Sequence, residues 1–530
     1  MTHRYKSVAP APASATTTAS ARPETRHTPA RRSSPRTGAH PTHPTTVRHT
    51  SRAVQGATGR TPAGSSRLAA VLVALTLGAC ASPDPDRAFD TVRQSAGQHL
   101  GGGVELTWAR EPAAQQRVDE RVARLLAQPL GREEAVQVAL LNNRGLQAAF
   151  AELGLTDAQV AQAGRLPNPG FSFGRVTKGD EIELERGLHL DLVRLLVLPV
   201  IRQQEAHRLA QVQAQVAMQV LALAADTRKA WVEAVAATES ARYADQVMQA
   251  AQAGAELARR MAQVGNFNTL QRAREQMFYA EAAQNLARAQ QQQLATRERL
   301  TRLLGLWGDQ TRYSLPERLP DLPAQPRDLP DIERLALAQR LDVAAARAGV
   351  EQTARHLGLT RSTRLVNVLE IGAMRNSSNE GPTQKGWEVG LELPLFDWGT
   401  ARVAQAQAVY MQALHRAADT AIQARSEVRE AYGAYRTTWD IARHQRQEVV
   451  PLAARISEEN LLRYNGMLIG VFDLLADARA QIASVQGAIQ TQRDFWIAQA
   501  DLDMALVGKP SLTAAPGPAM AAGKDAGPGH

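Results

Sequence analysis

The sequence predicts a mainly α-helical chain with a membrane β-barrel contribution: a duplicated unit of long coiled-coil-like helices plus a β-hairpin, with four strands per chain. Three observations predict it. The 530 residues are rich in Ala and Gln, only 5% aromatic, and free of proline over long windows, which is the profile of extended helix. Two short stretches alternate strictly between apolar and polar residues, the period of a two-faced strand. The chain also repeats its own plan at an interval of about 200 residues, too long for a solenoid repeat.

The basic character is confined to the start. Residues 1–67 carry eleven Lys/Arg against the single acid Glu24, while the whole chain is +9, so the remainder sums to −1. A pI near 10 therefore does not point to nucleic acid as a partner. Residues 1–66, Thr-, Pro-, Ala- and Arg-rich without periodicity, read as a disordered basic leader or as sequence upstream of the true translation start. Residues 67–79, RLAAVLVALTLGA, form an apolar run too short to span a bilayer as a helix and suited to the h-region of an export signal. It ends at Cys80, the sole cysteine, where Ala81-Ser82-Pro83 begins a loop, which makes Cys80 the candidate acylation site. Residues 80–130 read as an N-terminal linker or periplasmic segment.

From Gly131 the duplication is visible. Ala139-Leu140, Leu146 and Ala148-Ala149 recur 197 positions later as Ala336-Leu337, Val343 and Ala345-Ala346, and Leu304-Gly305 recurs as Val507-Gly508. Each half is expected to hold a helix of about 32 residues (133–164 and 331–362), two strands, a very long helix (200–264 and 400–465) and a return helix (270–304 and 471–506). A 65-residue helix is about 97 Å long and cannot bury its apolar stripe alone. The two shorter helices, laid end to end, match its length. Pro451 is expected to kink the second long helix. Residues 309–330, with five prolines, read as a linker between the halves, and 509–530, Gly/Ala/Pro/Lys-rich, as a disordered tail.

The strands carry the second argument. Between 181 and 192, Ile182, Leu184, Leu188, Leu190 and Leu192 share one parity, and Glu181, Glu183, Glu185, His189 and Asp191 the other; Arg186 alone breaks the pattern. In the second half Val389, Leu391 and Leu393 alternate with Glu388, Gly390 and Glu392 until Pro394, and Asp397 with Gly399 turns the chain into helix at Thr400. Glu181, Glu183, Glu388 and Glu392 would face a water-filled lumen if their leucine neighbours faced lipid. A half-buried soluble sheet fits the same alternation. Four strands cannot close a membrane barrel, and an open edge in lipid leaves backbone groups unpaired, so membrane strands here would require several chains to share one barrel.

Three fragments, AVQVALLNNRGLQAAFAELGLTDAQVAQAGRLPNPGFSFG (135–174), ELPLFDWGTARVAQAQA (392–408) and RYNGMLIGVFDLLADARAQ (463–481), lie in order within the duplication. With them the sequence resembles the outer-membrane efflux proteins of the TolC type over about residues 131–508, making 131–308 and 331–508 the two efflux repeats. Leu77-Gly78-Ala79-Cys80 resembles a lipobox, which places the chain in the lipoprotein branch and implies outer-membrane sorting. The resemblance implies a homotrimer with a twelve-stranded barrel on an α-helical tunnel, working with a periplasmic adaptor and an inner-membrane pump and surrounded by outer-membrane lipid. It also implies that the helix tips, with Gly265, Asn266 and Phe267 in one and Gly466, Met467 and Gly470 in the other, touch the adaptor and form the entrance. Asp473 falls where the family carries an entrance-constricting acid. Asp477 lies one residue out of register with the second such acid, and Tyr464 matches a latch aromatic whose arginine partner is here Ile469.

No phosphate loop, zinc signature, serine elbow or cysteine metal spacing is present, so no enzyme, cofactor or metal site is expected. The competing reading is a non-conducting periplasmic coiled-coil adaptor or scaffold lipoprotein. The β-rich flanks that adaptors usually carry are missing from the sequence.

Overall fold

Two helical hairpins and one four-stranded sheet make up the computed structural model, which describes residues 84–100, 104–363, 369–391 and 396–510, with backbone only at Leu391, Val471 and Phe472. Cys80, Glu392 and the tail 511–530 lie outside the described residues. The order is α1 (Pro85–Leu100), α2 (Pro112–Leu126), α3 (Arg132–Asn142), α4 (Arg144–Ala163), β1 (Gly170–Lys178), β2 (Glu181–Asp191), α5 (Leu192–Gln263) and α6 (Thr269–Leu304). The second half follows with α7 (Ile332–Gln339), α8 (Leu341–Ser362), β3 (Leu369–Ser378), β4 (Gln384–Leu391), α9 (Thr400–His444), a π-turn (Gln445–Val449), α10 (Val450–Asn465) and α11 (Val471–Val507).

Each expected 32-residue helix is in fact two, broken at Asn143 and at Arg340, which are 197 positions apart. At the first break Asn143 leaves helical geometry (ψ 115°) and its side chain accepts from Leu146 N, capping α4. Asn142 Nδ2 donates to the carbonyls of Leu304 and Gly305 (3.2 and 2.8 Å), and Asn143 Nδ2 to Leu303 O (2.9 Å). The break thus caps the C-terminus of α6, whose last carbonyls have no partner within their own helix. In the second half Arg340 does the same for α11: its guanidinium, 1% exposed, donates to Ala505 O and pairs with Asp342 and Glu427.

The long rods differ from expectation at both ends. α5 runs for 72 residues, about 108 Å, and starts at Leu192 rather than beyond Pro199. Asp191 caps it by accepting from Arg194 N (2.9 Å), and Pro199, its eighth residue, lies within the helix in the third turn. The second rod does begin at Thr400, after Gly399 (φ +69°), whose N–H donates to Asp397 Oδ1. Pro451 does not simply kink this rod. The five residues before Pro451's neighbour adopt a π-turn, a wider winding that accommodates the bond a proline cannot donate.

Burial is concentrated in the middle of the rods. One cluster packs Phe89 and Val92 of α1 against Phe150 of α4 and Val216–Leu221 of α5. A second joins Val118 and Val122 of α2 to Val138, Trp231 and Leu300, and a third joins Tyr435 and Trp439 of α9 to Phe495 and Leu502 of α11. Within segment 80–130 the described residues form α1 and α2, both of which pack into these clusters. The proline-rich stretch 309–330 is likewise strapped down: Trp496 Nε1 donates to Pro320 O and Trp439 Nε1 to Pro323 O, each at 3.1 Å, and Tyr313 and Leu319 are buried. Towards its far end α5 buries only small residues, Ala251, Ala255 and Ala258, at helical spacing that permits close helix approach.

The buried charge of the belt is Lys229, whose Nζ lies 3.0 Å from Asp501 Oδ1 and 3.3 Å from Asp226 Oδ1, joining α5 to α11. Burial pushes the Asp501 carboxyl above its ordinary range and Asp226 adds to this, while the Lys229 charge opposes it.

Two outcomes follow. Gly305 has φ +67°, and a Cβ there would meet Asn142 O at 2.8 Å and Asn143 Cα at 3.1 Å. Gly305→Ala is expected to destabilise the chain by about 2–4 kcal/mol, read as a lower chemical-denaturation midpoint, since backbone atoms cannot give way. Lys229→Met, which strands Asp501, should cost about 3 kcal/mol at neutral pH. A carboxyl with a raised folded pKa contributes stability at low pH that is lost as pH rises through that value. The deficit of Lys229→Met should therefore shrink on acidification below Asp501's raised pKa; a deficit independent of pH between 4 and 8 would refute this account.

Candidate functional site

The four strands pair in sequence order, β1-β2-β3-β4, all antiparallel. The register fixes the faces, because directly opposed residues point the same way. On one face Phe171 opposes Leu188, Leu188 opposes Ala373, and Ala373 opposes Trp387. A neighbouring row aligns Leu190, Ile371 and Val389. Several of these are open to solvent in the single chain: Phe171 70%, Leu188 52%, Trp387 76% and Val389 51% exposed. Leu196, early in α5 (70%), and Phe396 (98%) and Trp398 (62%), just before α9, are exposed as well.

The opposite face holds Glu181, Glu183, Glu185, Asp191, Glu370 and Glu388, together with His189. Its groups bond to one another across strands: Ser378 Oγ donates to Glu181 Oε1 (3.1 Å), Asn376 Nδ2 to Glu183 Oε1 (3.3 Å), and Ser172 Oγ lies 3.0 Å from His189 Nε2. All six glycines of the strands, Gly170, Gly174, Gly187, Gly372, Gly386 and Gly390, also fall on this face. Gly187 and Gly372 are buried, as small residues on the inner side of a curved sheet would be. The acids predicted to share a face do so for the three described, Glu181, Glu183 and Glu388. The glycine segregation is visible only once the register is known, and so is the clamp of Asn379, which bonds Ile182 N (2.7 Å) and Asp180 O (2.9 Å) and fixes β3 to the first hairpin.

At the far end of the rods, the first tip turns through Gly265 (φ +82°), with Asn266 N and Phe267 N donating to Met261 O. Asn268 and Gln271 then form a reciprocal cap on α6. The second tip puts its left-handed residue at Met467 (φ +59°), and Gly466, expected to form the turn, has φ −79°. Met467 is 94% and Leu468 77% exposed. Asp473 accepts from Gly470 N (3.1 Å), capping α11, and Asp477 accepts from Asn460 Nδ2. Tyr464 is partly exposed and makes no contact with either acid among the contacts described. The three entrance candidates thus lie on one tip without forming a cluster within one chain.

The contact that joins the two tips is one the sequence did not reveal. Glu275 of α6, 3% exposed, pairs with Arg479 of α11 (3.3 Å), and the Arg479 guanidinium stacks 4.3 Å from the Phe278 ring centroid. Glu256, on α5 near the first tip, is held below the usual carboxylate range chiefly by hydrogen bonds from Arg260 and Arg259. Among the described residues no three His, Cys, Asp or Glu side chains are placed to hold a metal ion.

No family model and no curated protein matches this sequence. Solved structures do match in shape. The Campylobacter jejuni CmeC outer membrane channel superposes with a TM-score of 0.61 at 17% identity, covering 77% of this chain and 90% of its own. The outer membrane protein VceC of Vibrio cholerae gives 0.59 at 16% identity, covering 75% and 99%. The Neisseria gonorrhoeae MtrE outer membrane channel, in its open state, gives 0.57 at 18%, covering 71% and 88%. The fold is that of the outer-membrane channels.

Arg479→Ala leaves Glu275 buried without its cation and is expected to loosen both tips by about 1–3 kcal/mol. Hydrogen exchange should accelerate at 265–275 and 471–479 while the Trp439 belt stays protected; unchanged exchange at the tips would show that the pair does not hold them.

Proposed function

We propose that this chain is the outer-membrane exit duct of a tripartite efflux system, a channel and not an enzyme. Three copies would share a twelve-stranded barrel above an α-helical tunnel, receiving substrate from an inner-membrane pump through a periplasmic adaptor at the helix tips. The observation that carries the reading is the sheet: four strands with free edges at β1 and β4, an exposed apolar face, and an acidic, glycine-bearing face. Unpaired edges are not tolerated in hydrocarbon, and four strands are half of the smallest closed barrel, so closure needs further copies of the chain. The likeness to outer-membrane channels supports the same reading.

The rods support it too. α9 buries one stripe, Ala424, Val428, Ala431, Tyr435, Trp439 and Ala442, and leaves Ile422 67% and Ile441 50% exposed; on α10 Leu452 and Leu462 are 55% and 67% exposed. Apolar residues outside the buried stripe suit contact with neighbouring chains. Glu181, Glu183, Glu388 and, outside the described residues, Glu392 would line the lumen and favour cations. Gly265, Asn266, Phe267, Gly466, Met467 and Gly470 would meet the adaptor, and Asp473, Asp477 and Tyr464 would act at the entrance between chains. Cys80 would carry the lipid anchor, with the barrel holding the protein independently of it.

Single cysteines introduced into the Cys80→Ser chain test this in membranes. Water-soluble thiol reagents are expected to modify cysteines at 183 and 388, and to leave those at 188 and 389 unmodified. Equal labelling of both faces, or release of Cys80→Ser from membranes by carbonate without detergent, would favour the non-conducting scaffold instead.

A further inference from the structure

Above the apolar rows of the sheet, on the same face, lies a feature the channel reading does not use. Arg186 of β2 stands directly opposite Arg375 of β3, and Arg375 directly opposite Lys385 of β4. Neighbouring strands are about 4.8 Å apart, so three cations occupy roughly 10 Å of one row. Arg175 of β1 lies diagonal to Arg186, two residues beyond its direct partner Phe173, and extends the row to the fourth strand. Directly opposed like charges destabilise a sheet. None of the four has an ion pair among the described residues, and Arg175, Arg375 and Lys385 are exposed. The acids of the sheet cannot neutralise them, because Glu181, Glu183, Glu185, Glu370 and Glu388 all point from the opposite face.

The position of the row suggests what does. Beneath it the face is apolar through Phe171, Leu188, Ala373 and Trp387, then Leu190, Ile371 and Val389; Leu196, early in α5, and Phe396 and Trp398, just before α9, are exposed apolar residues as well. From Arg186 down to Asp191 is about 17 Å of strand, and the start of α5 adds roughly 6 Å, close to the apolar height of about 25 Å of an outer-membrane barrel. Phe173 stands in the row itself, opposite Arg186, and Trp387 lies one row below it on β4, as interfacial aromatics do. On this spacing the cations stand at the headgroup level on the lipid side, midway along β2 and towards the hairpin ends of β1, β3 and β4, with Leu184 and Ile182 beyond them on the same face.

We propose that Arg175, Arg186, Arg375 and Lys385 form a binding row for the phosphates of anionic lipid headgroups in the outer leaflet. The row pairs the repelling cations with fixed anions that the protein itself does not supply, and it sets the depth at which the sheet sits. Guanidinium groups suit this because their planar fork accepts phosphate in a bidentate manner. The proposal rests on the membrane-barrel reading above.

The test uses the full chain, reconstituted in phosphatidylcholine nanodiscs with or without diphosphoryl lipid A, and the variant Arg186→Gln/Arg375→Gln/Lys385→Gln beside it. Lipid A is expected to raise the thermal midpoint of the wild-type assembly and to leave the variant unmoved. The apparent affinity for lipid A should fall on the order of a hundredfold in the variant, from the loss of three headgroup-level cations. In phosphatidylcholine alone the variant should melt no lower than wild type, since relief of repulsion offsets the substitutions. Lys178→Gln, on the opposite face, should respond to lipid A as wild type does. Inorganic phosphate at equal phosphate concentration should give no shift, which separates a headgroup site from a free-anion site. Equal lipid A shifts in wild type and variant, no shift in either, or a matching shift with inorganic phosphate would each overturn the proposal. A chain that fails to enter nanodiscs would instead overturn the barrel reading on which it rests.

Discussion

A backbone N–H or C=O placed in hydrocarbon without a partner costs several kcal/mol, and most of this molecule can be understood from how it meets or avoids that cost. The sheet satisfies its interior ladders and, among the described residues, ends at β1 and β4 without a further strand partner. The helices meet the same requirement in water with side chains. Asn142 and Asn143 serve the last carbonyls of α6, Arg340 serves those of α11, Asp191 serves the start of α5, and indole N–H groups take up the carbonyls of a segment whose prolines donate nothing. Between these points the rods need little more than alanine to lie close together.

The division of labour between belt and ends follows from the same geometry. Large side chains and the Lys229–Asp501 pair gather where helices from both halves cross, so stability is concentrated there. The ends are then free to carry surfaces that are poor choices for a soluble monomer: an exposed apolar sheet face at one end, and Met467 and Leu468 in solvent at the other. Such surfaces are the usual mark of contact with lipid or with another protein.

Much of this was legible in the sequence. Strand alternation gave both faces of β2, including the placement of Arg186 among apolar residues, because period 2 admits only two faces. Absence of proline gave the rods, and Asp397 with Gly399 gave the turn into α9. What escaped were features in which a side chain overrules local propensity. Nothing in the run around Asn143 or Arg340 breaks a helical pattern; the break exists because those side chains are needed by a helix terminus 160 residues or more away in sequence. Pro199 misled in another way: the helix starts at Leu192 and runs through it, so the proline lies in its third turn and not at its boundary. Glu275 and Arg479 sit 204 positions apart on separate hairpins, and no spacing rule reaches that far. The left-handed residue of the second tip is a methionine beside a glycine, and the glycine drew the reading.

The two helix breaks also record how the halves have drifted since duplication. One uses a pair of neutral amides; the other uses a buried guanidinium balanced by Asp342 and Glu427. Replacing Arg340 with asparagine alone would leave Asp342 and Glu427 without the guanidinium they pair with, and an arginine placed at position 143 would arrive with no acid prepared for it. Descendants of a single ancestral unit have in this way become mutually untradeable parts, each locked to its own half by the company its side chain keeps.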